Sequence, residues 1–252
     1  MTSETTSLGE ANSAREEWQR YAAFIRRPRL PARAQPMSGA SLRAVLRMLG
    51  LDFAMMAVLM ALATLVVAAG VDLPQTALEN IDLTLGIVAL VVIGAPLLEE
   101  IAFRGWLSGR PGHVFGLLAL VTALGSLVAM VALNQATGVG VLLPAVALPV
   151  FFLGLAAVIL WRWRRRPAMG WFTCAFPLFF WLSTAGFACV HLLNYDEGSL
   201  YVLLPLVLPQ FVTGSILVYL RVNYGLWAAM LLHALHNGTG MAVVLGGMLL
   251  AG

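Results

Sequence analysis

TLGIVALVVIGAPLLEEIAFRGWLS, residues Thr84–Ser108, decides what kind of chain this is. From Thr84 to Leu98 it is nearly all apolar, with none of the polar–apolar alternation of a half-buried strand. As an α-helix rising 1.5 Å per residue, the run over 84–108 is long enough to cross the ~30 Å hydrocarbon layer of a bilayer. Glu99, Glu100 and Arg104 stand inside that same run. Ionisable side chains are costly within a membrane, so they point to function by default.

Six further apolar blocks lie outward of this one, at about 48–70, 112–134, 139–161, 175–194, 199–220 and 224–250. The sequence thus describes an all-α, polytopic transmembrane helix bundle of about seven spans. Composition agrees. Hydrophobic residues make up 60% and charged residues 11%, where a soluble domain carries about 25% charged, and the mean hydropathy is +0.88. A soluble globular enzyme and a disordered chain are both excluded. The net charge of +3 would suggest nucleic acid in a soluble protein, but here the basic residues, all arginine, flank apolar blocks. The partners expected are the lipid bilayer and a peptide or protein substrate, and no nucleic acid.

Loop charge gives an orientation. Arg43 and Arg47 precede the first span; Asp72, Glu79 and Asp82 follow it; Arg110 and His113 come next; the loop at 135–138 is uncharged. Arg162, Arg164, Arg165 and Arg166, then Asp196 and Glu197, then Arg221 complete the alternation. Placing the basic loops inside puts the N-terminus in the cytoplasm and the C-terminus outside, in a multi-pass protein of a bacterial inner membrane.

Residues 1–47 differ from the rest and hold 8 of the 15 arginines. This cytoplasmic, basic segment is expected to be partly disordered, with Thr2 to Arg15 having nothing to bury. Glu16 to Ile25 reads as an amphipathic turn or two whose Trp18, Tyr21 and Phe24 suit a membrane surface. No signal peptide is visible. Residues 48–252 form the transmembrane domain. Cys174 and Cys189 lie in apolar sequence and are expected to be buried packing residues.

Three groups carry the candidate chemistry. Glu100 and Arg104 are i,i+4 on a helix and meet as an ion pair, whereas Glu99 lies ~100° round the helix without a partner from its own turn, a carboxylate free for chemistry. His191 follows Phe187 by one turn, so the ring can fix the imidazole. His233 and Asn237 stack at i,i+4 and can both donate to one oxygen, with His236 pointing partly aside. Asp52, near the start of the first span, reads as structural, within reach of the interface or an arginine. One carboxylate, two histidines and an asparagine on three helices make an inventory for activating water and binding an oxyanion. Equal depth in the membrane requires the helix of His191 to start at Pro177, which implies a short helix or interfacial segment before it.

Glu99-Glu100…Arg104, Phe187…His191 and His233…Asn237, in that order, resemble the motifs of the CAAX prenyl protease and bacteriocin-processing (CPBP) intramembrane peptidases. Phe103-Arg104-Gly105 and Gly214-Ser215 look similar too. The resemblance covers about 84–108 and 177–240. It implies an intramembrane endopeptidase in which Glu99 and His191 activate water, His233 and Asn237 hold the oxyanion, and Glu100, Arg104 and Phe187 support them. The chain departs from the family in the separation of 92 from Glu99 to His191, which two extra spans within 112–161 fill.

No cofactor is firmly expected. Glu99, His191 and His233 would also make three zinc ligands with an open fourth position, although Asn237 beside His233 reads as hydrogen-bond machinery. A different class of reading is a non-catalytic membrane protein of the same fold, with a bacteriocin-immunity or partner-binding role. A proton-coupled transporter is disfavoured for want of an inverted repeat.

Overall fold

The computed structural model describes residues 11–76, 82–137 and 142–251. They are helical, apart from connecting segments and an isolated antiparallel bridge between Thr76 and Tyr195. Among them six helices are long and apolar enough to cross a membrane, or seven if a bent pair is one crossing. The protein is an integral, multi-pass helical membrane protein. Glu79, the end of the loop at 135–138, and Thr2 to Glu10 lie outside the described residues.

The chain divides into two compact units, Met1–Arg104 with Ala175–Gly252, and Gly105–Cys174. The first begins with α1 (Ala14–Arg26), which starts inside the stretch expected to be disordered. Ser13 explains the start, since its side chain accepts the backbone N–H of Glu16, and Glu16 and Glu17 complement the helix dipole. Of the aromatic stripe expected to suit a membrane surface, Tyr21 and Phe24 turn inward, while Trp18 stays exposed. Tyr21 is buried and its hydroxyl pairs with that of Ser215 at 2.5 Å. Phe24 meets Phe180 and Tyr219 edge-on. Trp18 donates to the carbonyl of Arg47 at 2.8 Å. Glu17 is fully buried and accepts from the hydroxyls of Tyr219 (2.7 Å) and Tyr224 (2.6 Å). Burial pushes the Tyr21 hydroxyl up to about 12.

The next helix, α2 (Gly39–Ala68), begins well before Met48 because Ser38 and Ser41 form a capping box. The opening stretch is one continuous span made of α3 (Leu85–Ala89), a π turn at Leu90–Gly94, α4 (Ala95–Arg104) and a 3-10 turn at Gly105–Ser108. The π turn has a local cause. The N–H of Ala95 bonds the carbonyl of Leu90, five residues back, and Pro96 has no N–H to give the carbonyl of Val91. Val91 is therefore left with a free acceptor in the middle of an apolar helix.

The second unit contains α5 (Pro111–Thr137), α6 (Leu142–Trp163) and α7 (Gly170–Cys174). The first two run antiparallel. A Cβ at Gly112 would lie 2.4 Å from the backbone nitrogen of Arg164, and one at Gly116 would lie 2.9 Å from Leu160, so these two glycines set how closely the helices approach. The short α7 occupies the stretch before Pro177 where an extra helix was expected.

Back in the first unit, α8 (Phe176–Val190) passes into a 3-10 turn at His191–Asn194. Then α9 (Leu200–Leu206) and α10 (Leu208–Asn223) meet at a 44° break, where Pro209 removes a helix N–H. The last helix is α11 (Leu226–Ala251), reached through Gly225 at φ 105°, a value that glycine adopts without strain. Every residue of α10 from Thr213 to Asn223 is buried, and α1, α2, α8 and α11 all pack against it. It is the axis of this unit, with Ile216, Leu217 and Leu220 in the core alongside Met48, Phe187 and Leu232. Cys174 and Cys189, expected to be buried, are both free and exposed.

Candidate active site

The first motif is fixed by its helix end. The carbonyls of Phe103 and Arg104, where α4 tightens into the 3-10 turn, accept from Ser183 (2.8 Å) and from Nε of Arg221 (2.8 Å). That leaves the side chains of α4 held between α8, α10 and α11. Glu100 and Arg104 are both fully buried, and Nη1 of Arg104 donates to Oε1 of Glu100 at 2.8 Å. The Arg104 guanidinium lies over the ring of Phe187, 3.9 Å from its centroid. Gly214 makes room for this stack, since a Cβ there would come within 3.0 Å of Phe187 and 3.3 Å of Arg104.

Glu100 does more than neutralise Arg104. Its Oε1 also faces Nδ1 of His233 at 3.0 Å. Nε2 of the same ring lies 3.7 Å from Oε2 of Glu99. Glu99 therefore has a cross-helix neighbour that the sequence did not reveal, and Glu100 with Arg104 supports His233 directly. Glu99 keeps 30% of its side chain exposed, whereas Glu100 keeps none. The two adjacent carboxylates thus occupy different environments, one open to a cavity and one sealed.

Phe187 meets His191 edge-on at 4.7 Å and His233 edge-on at 5.6 Å, and stacks on neither. Nδ1 of His191 lies 2.7 Å from the carbonyl of Phe187. A carbonyl only accepts, so Nδ1 carries a proton, and in the neutral ring the lone pair is on Nε2. Asn237 donates its amide to the orphaned carbonyl of Val91 at 2.9 Å. The proline-induced π turn thereby fixes the rotamer of Asn237, and the second amide hydrogen remains for another acceptor.

A cavity of about 450 Å³ collects these groups. Glu99, Phe187, His191, His233 and Asn237 all line it, with Gln210 and Thr213 from α10 and an apolar wall that includes Val91 and Met241. His236 lines it as well, although its helical angle suggested that it points aside. Asp52 lies behind it, fully buried, and its partners are Thr213 (2.7 Å) and His236 (2.5 Å) in place of an arginine or the interface. Sequence reasoning set Asp52 and His236 apart from the chemistry. The available signal was His236 one turn from His233, with a lone aspartate in an otherwise apolar span.

The zinc reading needs Glu99, His191 and His233 at ligand spacing. Among the described residues no group of three or more His, Cys, Asp or Glu is so placed. Nδ1 of His233 faces Glu100 and Nδ1 of His191 faces a carbonyl, so each ring keeps Nε2 for the cavity.

A family model described as Type II CAAX prenyl endopeptidase Rce1-like matches residues 81–176 and 159–239, more than half of the chain and all three motifs. No curated protein and no solved structure matches.

Proposed function

The chain belongs to the Rce1-like family of type II CAAX prenyl endopeptidases, a protease family, and from that premise we propose that it is an intramembrane endopeptidase working through Glu99, His191, His233 and Asn237. The observation that carries this reading is the single cavity onto which all four open, from three separate helices. Water in the cavity loses a proton to Glu99, while Nε2 of His191 accepts the second hydrogen bond and orients the oxygen. The hydroxide attacks the substrate carbonyl. The oxyanion formed receives the free amide hydrogen of Asn237 and an N–H from Nε2 of His233. For that donation His233 carries protons on both nitrogens; with Arg104 also cationic, the two positive charges are balanced by Glu100 at Nδ1 and by Glu99 near Nε2, whose negative charge passes to the oxyanion as Glu99 takes the proton. Glu100 has the orienting role that a buried carboxylate plays toward a catalytic imidazole. Arg104, stacked on Phe187, holds Glu100 in place.

The bond cleaved lies in a peptide that reaches the cavity from the membrane. The test is hydrolysis by the detergent-purified protein of a panel of internally quenched peptides. The panel holds a prenylated CAAX-terminated peptide, the same peptide without the prenyl group, and an unmodified apolar library. The expected result is cleavage of at least one class by the wild type and none by Glu99→Gln. Equal turnover by the two proteins, or none by either, would refute the reading and return the chain to a binding role.

A further inference from the structure

One carboxylate–imidazole pair on this cavity has no part in the mechanism above. Asp52 is fully buried on α2, and both of its oxygens are used: Oδ1 accepts the hydroxyl of Thr213 at 2.7 Å, and Oδ2 faces Nδ1 of His236 at 2.5 Å. His236 stacks on Phe53, with centroids 6.2 Å apart and planes 28° from parallel. The ring is therefore held from two sides. With the Nδ1 proton given to Asp52, the remaining nitrogen, Nε2, is the one the ring can offer to the cavity it lines. His236 keeps 27% of its side chain exposed while Asp52 keeps none. His236 also lies three residues beyond His233 on α11, a rise of about 4.5 Å with a rotation of about 60°, so two imidazoles of one helix reach the same cavity at different heights.

We propose that His236, oriented and charge-balanced by Asp52, is the acid that protonates the leaving nitrogen. The proposal rests on the peptidase reading above. A peptide nitrogen cannot depart as an amide anion; it needs a proton as the C–N bond breaks. In the tetrahedral intermediate Glu99 holds the proton taken from water, and His233 and Asn237 are engaged with the oxyanion. His236, with protons on both nitrogens, gives its Nε2 proton to the leaving nitrogen. The C–N bond breaks, the carbonyl re-forms, and His236 is left neutral with Nδ1–H still on Asp52. The proton held by Glu99 then returns through water to Nε2 of His236. One water is consumed, and a carboxylic acid and an amine are released. Thr213 fixes the carboxylate of Asp52 and is a positioning residue.

A structural role would make Asp52, Thr213 and His236 no more than a tie between α2, α10 and α11. The two roles separate on the leaving group. The assay takes the peptide of the panel that the wild type cleaves fastest, and the 4-nitrophenyl ester of its acyl half, whose leaving group departs as a stable anion. His236→Gln should slow peptide hydrolysis by about 10²-fold or more, with a loss on the ester at least tenfold smaller. Asp52→Asn should show the same amide-selective loss in weaker form. Glu99→Gln should lose both substrates, because both need activated water. Equal losses on peptide and ester in His236→Gln, or undiminished peptide cleavage, would overturn the proposal and leave the peptidase reading standing. If neither variant folds, the cluster is a structural tie and the proposal fails. If the wild type cleaves neither substrate, the peptidase reading fails and this proposal falls with it.

Discussion

Replacing Glu100 with glutamine changes no more than two atoms' chemistry, yet the structure makes it the most damaging conservative change in the site. Glu100 and Arg104 are both completely buried, so the arginine of the variant keeps its charge with no anion in contact. Removing one member of a buried pair typically costs about 3–5 kcal/mol. The glutamine carbonyl can still accept from Nη1, which favours the lower end. The amide NH₂, however, would take the place of Oε2, a buried atom with no partner among the described residues, and an unmatched donor there costs about 1–3 kcal/mol. The Phe187 face under the guanidinium supplies at most about 2 kcal/mol and is already present in the wild type. A net loss of about 4 kcal/mol follows from these terms. Glu99→Gln should lose less than about 1 kcal/mol, since its carboxylate is part-exposed and its nearest cationic neighbour is 3.7 Å away. The measurement is the unfolding midpoint of detergent-purified variants under heat and under SDS titration. A double variant, Glu100→Gln with Arg104→Met, supplies the control. If the stranded charge causes the loss, the double variant should be about 2 kcal/mol more stable than Glu100→Gln alone. Additive losses, or a larger loss in Glu99→Gln than in Glu100→Gln, would refute the division into sealed and open carboxylates.

Asn237→Ala should lower turnover by about 10²–10³-fold, as the loss of one oxyanion donor does, while costing only about 1 kcal/mol for the bond to Val91; parallel kinetics and melting check both. The Tyr21 hydroxyl is raised to about 12 by burial. Its contribution to docking α1 is complete below pH 10 and lost as pH rises through 12. The unfolding midpoint should fall across that window, and Tyr21→Phe should move the onset to higher pH; an unmoved onset would clear Tyr21 of the effect. Reporter fusions after Arg110, Arg166 and Arg221 should read cytoplasmic and those after Asp72 and Glu197 should read external, and a cytoplasmic C-terminus would mean that the pair bent at Val207 does not cross. Turnover should resist chelators, and zinc lost and restored together with activity would make Glu99, His191 and His233 ligands.

What could be read from the sequence was what a single helix encodes. Span lengths follow from apolar runs, and the pairing of Glu100 with Arg104 follows from i,i+4 geometry. Contacts between distant helices leave no such periodicity. The pairing of His233 with Glu100 joins residues 133 apart, that of His236 with Asp52 joins residues 184 apart, and the bonds of Glu17 reach across more than 200 positions. Without them Glu99 looked solitary, Asp52 looked bound for the interface or an arginine, and the buried contacts of α1 were out of sight. The early start of α2 was legible in Ser38 and Ser41 but was masked by the arginines that follow. Pro96 carried its own signal, because a proline in a span always strands an acceptor about one turn earlier, and that stranded group is where Asn237 binds.

The π turn at Leu90–Gly94 amounts to a single surplus residue in an otherwise regular helix, and that makes the gene unusually forgiving there. Deleting one codon, Ile93 for instance, would let the helix close as an ordinary α-helix with everything from Ala95 onward unmoved. The helix on both sides would keep its register, because the extra residue is taken up within the π turn itself. Val91 and Val92 would stay against α11, on which this turn packs, and Leu85 and Leu90 would stay exposed. Pro96 would then stand four residues after Val91, so the same carbonyl would remain stranded and within reach of Asn237. A one-codon deletion at this place would yield a protein that keeps both its packing and the tie between Val91 and Asn237, whereas the same deletion between Pro96 and Arg104 would turn one flank by about 100° and pull Arg104 out of line with Glu100.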